Sequence, residues 1–260
     1  PCDAEWVSVD LPAGADLLAV LHGLIAGWDG AAVDMAGMML GPYAYVMPAE
    51  STDGHHAAWY SATHHGDRAT IEAGTLLLGQ RDGLPWFHAH AVWDDMGRRM
   101  GHLLPGQVRV AQDVRVSLWR WRGARLDLRK DPETGFPIYH LGREAVAGPA
   151  ALVRVAPHED LVTVLAGVLQ DRGWTRAEVM GVGSLIGAAF SFGQPMLDPI
   201  SEVVLPRTVW TPGQGLEVTC VNPSGDLFSG PLTQGGGAVL VTFELFVIGS
   251  DRRRDENGAC

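Results

Sequence analysis

Residues 7–24 read VSVDLPAGADLLAVLHGL, and residues 151–168 read ALVRVAPHEDLVTVLAGV. With Asp16 set on Asp160, Val9 falls on Val153, Leu17 on Leu161, Val20 on Val164, Leu21 on Leu165 and Gly23 on Gly167. In each copy an alternating, strand-like stretch runs into a proline-containing turn. An acidic residue then opens an amphipathic helix, where a carboxylate favours the positive end of the helix dipole. AAVDMAGMMLG (31–41) matches AEVMGVGSLIG (177–187), with Gly37 on Gly183 and Gly41 on Gly187, and reads as a buried strand whose glycines let backbones approach. MGHLLPGQVRVAQDVRVSLW (100–119) matches SGPLTQGGGAVLVTFELFVI (229–248) more weakly, a Gly-rich turn leading into a long strand each time. VRVAQDVRVSLW alternates as a half-buried strand does, whereas VLVTFELFVI is nearly all apolar, as in a strand buried on both faces. Such a repeat folds into two like α/β units, each of about 115 residues.

The expected organisation is therefore a first unit over 1–120, a linker or packed arm over 121–150, a second unit over 151–250 and a disordered tail over 251–260. The segment 121–150 is polar, with several Gly and Pro, and is long for a linker. At 47% hydrophobic and 19% charged residues the chain can fill two cores. Three cysteines without a C-x-x-C pair make a disulfide framework unexpected and fit a reducing cytoplasm. No apolar run reaches the roughly 18 residues of a membrane span, and PCDAEWVSVD lacks the basic and apolar regions of a signal peptide. The net charge of −11 disfavours holding nucleic acid by its phosphates.

The first unit holds WFHAHAVWDDMGRRMGHL at 86–103. On a strand, His88 and His90 of H-x-H share one face because side chains alternate with period two. The turn DDMGRRMG can bring His102 beside them. Three neutral imidazoles suit a divalent transition metal, and three protein ligands with one open position is the pattern of catalytic zinc. Iron, nickel, copper and manganese remain open as alternatives to zinc. Polar strand surface is the commoner reading of a lone H-x-H. The second copy serves as a control: His88 falls on Glu217, His90 on Thr219 and His102 on Pro231, so the fold does not need the histidines. That copy is expected to be scaffold, or a wall of the pocket if the two units meet face to face.

The order strand, acid-opened helix, TIEAGTLLLG, F-H-A-H and G-H-L resembles the plant-and-prokaryote conserved (PPC) domain. Its hallmark is H-x-H followed by G-G-H-L and a long strand. Met100 here replaces the first glycine. The resemblance covers roughly 6–120 and, more weakly, 151–249. It implies an α/β (α+β) fold with mostly antiparallel sheets flanked by helices, and a trimeric assembly, so three tandem chains would form a pseudo-hexamer. With His102 at the family's position, a metal at His88, His90 and His102 becomes the favoured reading. Plant relatives add AT-hooks that read DNA, but RWRGAR (120–125) lacks the hook's proline.

Around the histidines, Glu72 is a candidate general acid or base, with Glu202 its expected counterpart in the second copy. Arg98 and Arg99 are candidates to bind a substrate carboxylate. Arg207, the histidine-rich loop His55, His56, His64 and His65, and the aromatics Tyr60, Trp86 and Trp93 are further pocket candidates. Each has an ordinary structural explanation as well. The expected function is a cytoplasmic, zinc-type metal enzyme acting on a small carboxylated metabolite by hydrolysis, lyase or isomerase chemistry. A PPC-type DNA-binding regulator and a non-catalytic metal-binding oligomeric scaffold are the alternatives.

Overall fold

A computed structural model describes residues 1–143 and 148–249. The tail 251–260 and its expected disorder lie outside the described residues. The first copy runs β1 (Asp3–Leu11), α1 (Leu17–Leu24), β2 (Gly30–Asp34), β3 (Met39–Val46), β4 (Pro48–Ala49), β5 (Trp59–Tyr60), β6 (His64–Gly66), β7 (Ala69–Arg81), β8 (Leu84–Asp94), β9 (Arg98–Val110) and β10 (Val114–Arg122). A hairpin of β11 (Ala124–Lys130) and β12 (Pro137–Arg143) follows. The second copy comprises β13 (Ala150–Val155), α2 (Leu161–Arg172), β14 (Ala177–Ile186), β15 (Glu202–Trp210), β16 (Leu216–Val221), β17 (Leu227–Leu232) and β18 (Ala238–Gly249).

The repeat is visible in the strand order. The first sheet is ordered β1-β10-β2-β7-β8-β9-β3-β6, and the second β13-β18-β14-β15-β16-β17. Their first six positions correspond one to one, and every pairing along both is antiparallel. The fold is α+β, with one helix per copy among the described residues. Asp16 caps α1 by accepting the Ala19 N–H at 3.0 Å, and Asp160 caps α2 by accepting the Thr163 N–H at 2.8 Å. Gly173, at φ 67°, closes α2: its N–H donates to the Gln170 carbonyl and that of Trp174 to Leu169, a Schellman arrangement. The matched glycines differ in role. Gly37 turns the chain between β2 and β3 at φ 78°, whereas Gly183 lies in β14, where a Cβ would collide with the Thr242 carbonyl and Phe243 of β18.

Each helix covers one face of its own sheet, Leu17 and Leu21 in the first copy and Leu161, Leu165 and Leu169 in the second. The opposite faces pack on each other. Leu77, Trp121, Leu126 and Tyr139 meet Leu152, Met180, Val182 and Phe246, and each such side chain contributes about 1.5–3 kcal/mol of burial. The apolar run of β18 is thus buried on both faces, as its sequence predicts. Thr75 Oγ1 donates to the Leu205 carbonyl at 2.8 Å, a polar tie across this seam.

Of the segment expected as a linker or packed arm, the described residues 124–143 form a packed hairpin. β11 and β12 pair with each other, and Asp127 and Leu128 run parallel to Gln80 and Arg81, extending the first sheet from the end of β7. Leu126 and Tyr139 bury against the second copy, which a solvated linker would not do. No helix among the described residues is long and apolar enough to cross a membrane.

Candidate metal centre

His88 and His90 project from one face of β8, and the β8–β9 hairpin sets His102 directly opposite His90. The glycine of G-H-L has a steric reason: a Cβ at Gly101 would come within 2.8 Å of the Val46 carbonyl and closer still to the Tyr45 ring. Met100, where the PPC pattern has its other glycine, packs against Val204 and Val221 of the second copy. The face that carries the histidines is therefore the face that meets the second copy.

Four donors converge there. His90 Nε2 lies 3.1 Å from His88 Nε2, 3.1 Å from His102 Nδ1 and 2.8 Å from Glu202 Oε2. Ligand atoms of these four residues all fall within 4.8 Å of one another. The remaining ring nitrogens explain why the donors point inward. His90 Nδ1 lies 2.8 Å from the Val203 carbonyl, which can only accept, so Nδ1 carries the proton and Nε2 presents a lone pair. His88 Nδ1 lies 2.9 Å from Glu244 Oε2, which fixes the same tautomer, and Glu244 Oε1 accepts from Thr242 Oγ1 at 2.8 Å. Two imidazole lone pairs at 3.1 Å repel unless a cation lies between them. Donors sharing one first-row ion at roughly 2.0–2.1 Å stand about 3 Å apart, so this set fits a divalent metal. Orientation of ligand histidines by a carboxylate and a backbone carbonyl is the usual outer arrangement of such sites.

Their surroundings shift His90 and His102 in opposite directions. Burial disfavours a charged His90, but the adjacent Glu202 carboxylate, helped by the Val203 carbonyl and Glu244, outweighs it and raises the pKa. His102 moves the other way: burial, then the charges on His88 and His90, hold it well below the usual histidine range.

The donors sit at the floor of a cavity of about 210 Å³. His88, His102 and Glu202 face it, while His90 is wholly buried behind them. Tyr60 and Trp59 on β5 form one wall, and Phe136 and Tyr139 of the β11–β12 hairpin another. The second copy supplies Ser201, Thr242 and Glu244. The second copy is thus a wall of the pocket and also contributes a donor. Tyr60 keeps part of its surface exposed, and like any phenol at neutral pH it is an uncharged hydrogen-bond donor.

Several expectations are corrected here. Glu72 pairs with Arg98 on the exposed surface, Nε to Oε2 2.7 Å, and neither lines the cavity. Arg99, opposite Trp93 in the hairpin, is exposed and also lies outside it. A carboxylated substrate therefore has no support from these arginines. Glu72 is not the counterpart of Glu202. Glu202 stands opposite Val221 and Ala73 opposite Val92, which makes Ala73 its equivalent, while Glu72 occupies the bulge beside it. Arg207 grips Glu178 with two hydrogen bonds of 2.7 Å and stacks on Trp6, away from the cavity. Of the histidine-rich loop, His56 pairs with Asp53 and His64 stacks on Tyr45; none joins the cluster. Tyr60 and Trp86 do line the cavity, whereas Trp93 is core. In the second copy Ser229, rather than Pro231, stands opposite Thr219, and their hydroxyls bond at 2.9 Å where the first copy has His90 and His102.

Glu244 escaped the sequence reading, though it carried a signal. It is the one charged residue in VLVTFELFVI, and a carboxylate in a strand buried on both faces needs a partner.

No protein-family model and no curated protein matches the chain. Solved structures do. A plant- and prokaryote-conserved (PPC) protein of Pyrococcus horikoshii matches at 15% identity and TM-score 0.41, over 54% of this chain and 94% of its own. A metal-containing protein of Archaeoglobus fulgidus matches at 16% identity and TM-score 0.41, over 52% of this chain and 93% of its own. A candidate DNA-binding protein of Ralstonia eutropha matches at 20% identity and TM-score 0.38, over 53% and 90%. The resemblance to the PPC domain that His88, His90 and His102 carry in the sequence is thus accompanied by structural neighbours, a PPC protein among them, that span about half of this chain.

Proposed function

We propose that this chain is a metal-dependent enzyme acting on a small molecule bound in the cavity between its two copies. One observation carries the reading: ligand atoms of three imidazoles and a carboxylate lie within 4.8 Å of one another at the floor of a walled cavity. His88, His90, His102 and Glu202 would hold a divalent first-row ion, which would act as a Lewis acid towards an oxygen of the bound molecule. The chain's own groups do the rest. Glu244 and the Val203 carbonyl keep the histidine tautomers that leave Nε2 free to ligate. Tyr60, an uncharged phenol, can donate a hydrogen bond to the same oxygen. The aromatic walls give the bound molecule an apolar surface to pack against beside the floor. A non-catalytic scaffold would have no use for a cavity onto which three of the four donors open.

Metal analysis of the purified full-length chain tests this, with His88→Ala and His102→Ala as controls. About one divalent ion per chain, lost in both variants, is expected. Unchanged metal content in both would overturn the reading.

A further inference from the structure

We infer that the cavity binds a single aromatic ring bearing an uncharged oxygen, a phenol-like molecule, in place of the carboxylated metabolite expected from the sequence. The inference rests on the cavity's walls, and it deepens the proposed enzymatic reading by naming its substrate class.

The size is that of one substituted ring. An apolar cavity of roughly 150 Å³ takes up benzene, and this one measures about 210 Å³. The walls are flat and aromatic. Tyr60 meets Phe136 edge-on at 5.6 Å between ring centroids, Trp59 lies 6.4 Å from Phe136, and Tyr60 lies 5.4 Å from the His102 ring. Trp59 and Tyr60 keep 41% and 40% of their surface exposed, unusual for such large rings, so their faces are available to a ligand. Ile200 and Leu240 of the second copy extend the apolar lining.

The charges argue against a carboxylate. Glu202 and Glu244 would offset the two charges of a divalent ion held at the floor, leaving no net positive charge to draw a carboxylate in. Among the described residues lining the cavity, Arg81 is the sole cation. Its guanidinium stacks on Trp86 at 5.0 Å and faces Asp82 at 3.9 Å, half-exposed. An ordinary carboxylate site uses a bidentate arginine, and none faces the floor. What the site offers an oxygen is the ion that the donor cluster would hold, with the hydroxyl-bearing ring of Tyr60 in the adjoining wall.

Calorimetric titration of the full-length chain with phenol, benzoate and succinate tests this, before and after chelator treatment. Phenol should saturate at one site, with benzoate bound at least about tenfold more weakly and succinate without measurable heat. Trp59→Ala and Phe136→Ala should each weaken phenol about five- to tenfold at unchanged metal content, and Arg99→Ala, exposed and outside the cavity, should leave phenol binding alone. Benzoate or succinate binding as tightly as phenol, or phenol binding indifferent to both wall variants, overturns the inference. The two readings fail separately. Phenol preference in a chain that never carries metal keeps the ring inference and removes the metal. A metal-loaded chain that binds no phenol removes the ring inference alone.

Discussion

His88 and Glu244 belong to different copies of the repeat, 156 residues apart, yet His88 Nδ1 donates to Glu244 Oε2 across 2.9 Å. With the Glu202 oxygen 2.8 Å from His90, this makes the donor cluster a joint product of both copies. The copy that lost its histidines supplies the two carboxylates and the carbonyl that the surviving histidines need. A single unit with the same H-x-H would lack all three.

Glu244→Gln should therefore weaken metal binding about 10- to 100-fold, the usual range for an outer partner of a ligand histidine, although Glu244 faces the ion only through His88. The amide keeps the shape and a hydrogen bond but removes the charge that makes Nε2 basic. Chelator competition measures the loss, and Glu72→Gln, an exposed partner of Arg98, is the control expected to change nothing. Equal affinities for wild type and Glu244→Gln would show that His88 is oriented by packing alone.

How much of this was legible in the sequence depends on the kind of contact. Asp16 and Asp160 announced the helix starts because a cap is local, made to a residue three positions on. His88, His90 and His102 were legible because strand period and a hairpin bring them together. Glu202 and Glu244 reach the site only through the packing of two sheets, which depends on which face each helix leaves open. The sequence suggests that the copies can meet but does not specify the register of that meeting. Glu72 misled for a related reason: a bulge between Ile71 and Ala73 shifts it out of line with the position that faces the second copy. The hairpin at 124–143 was obscured by its polar composition, since Arg125, Asp127 and Arg129 alternate with inward Leu126 and Leu128 along β11.

Metal affinity should fall as the pH falls. Ligand nitrogens must be deprotonated to bind, and Glu202 raises the pKa of His90, so the metal-free protein keeps a competing proton at Nε2 to higher pH than an ordinary histidine would. Affinity should drop about tenfold per pH unit for each proton displaced once the pH is below that raised value. In Glu202→Gln the proton should compete less, so its affinity, lower overall, should vary less with pH. Titration with cobalt at several pH values reads both slopes, and identical slopes would contradict the shared position of proton and metal.

The cap of α2 gives a second pH dependence, unrelated to metal. Burial opposes the Asp160 charge, but hydrogen bonds from Thr163, Gly235 and Gly237 outweigh it and lower its pKa. A depressed carboxyl stabilises the fold above its unfolded pKa, near about 3.9, and that contribution is lost as pH falls through the lower folded value. Asp160→Ala should cost about 1 kcal/mol at neutral pH, and the gap to wild type should narrow below about pH 4. Urea unfolding at neutral and acid pH measures it. A gap as wide at acid pH as at neutral would mean that the carboxylate charge plays no part in the cap.

Duplex DNA should not bind at physiological salt. Phosphate contacts need free cations on one face, and the net charge is −11. The arginines most suggestive of a basic surface are already engaged. Arg120 bonds to Glu5 at 2.7 Å, Arg115 grips both oxygens of Asp10 at 2.9 Å, and Arg207 is held by Glu178. In RWRGAR, Arg120 and Arg122 both stack on Trp28, and Arg122 also donates to the Gly27 carbonyl. This basic-looking stretch therefore has partners within the chain. Fluorescence anisotropy with a labelled duplex at about 150 mM salt should show no binding tighter than roughly 10⁻⁴ M, the weak end of non-specific association. A micromolar complex at that salt, weakened by Arg120→Glu and Arg122→Glu, would favour a DNA-binding regulator and leave the donor cluster a structural part of it.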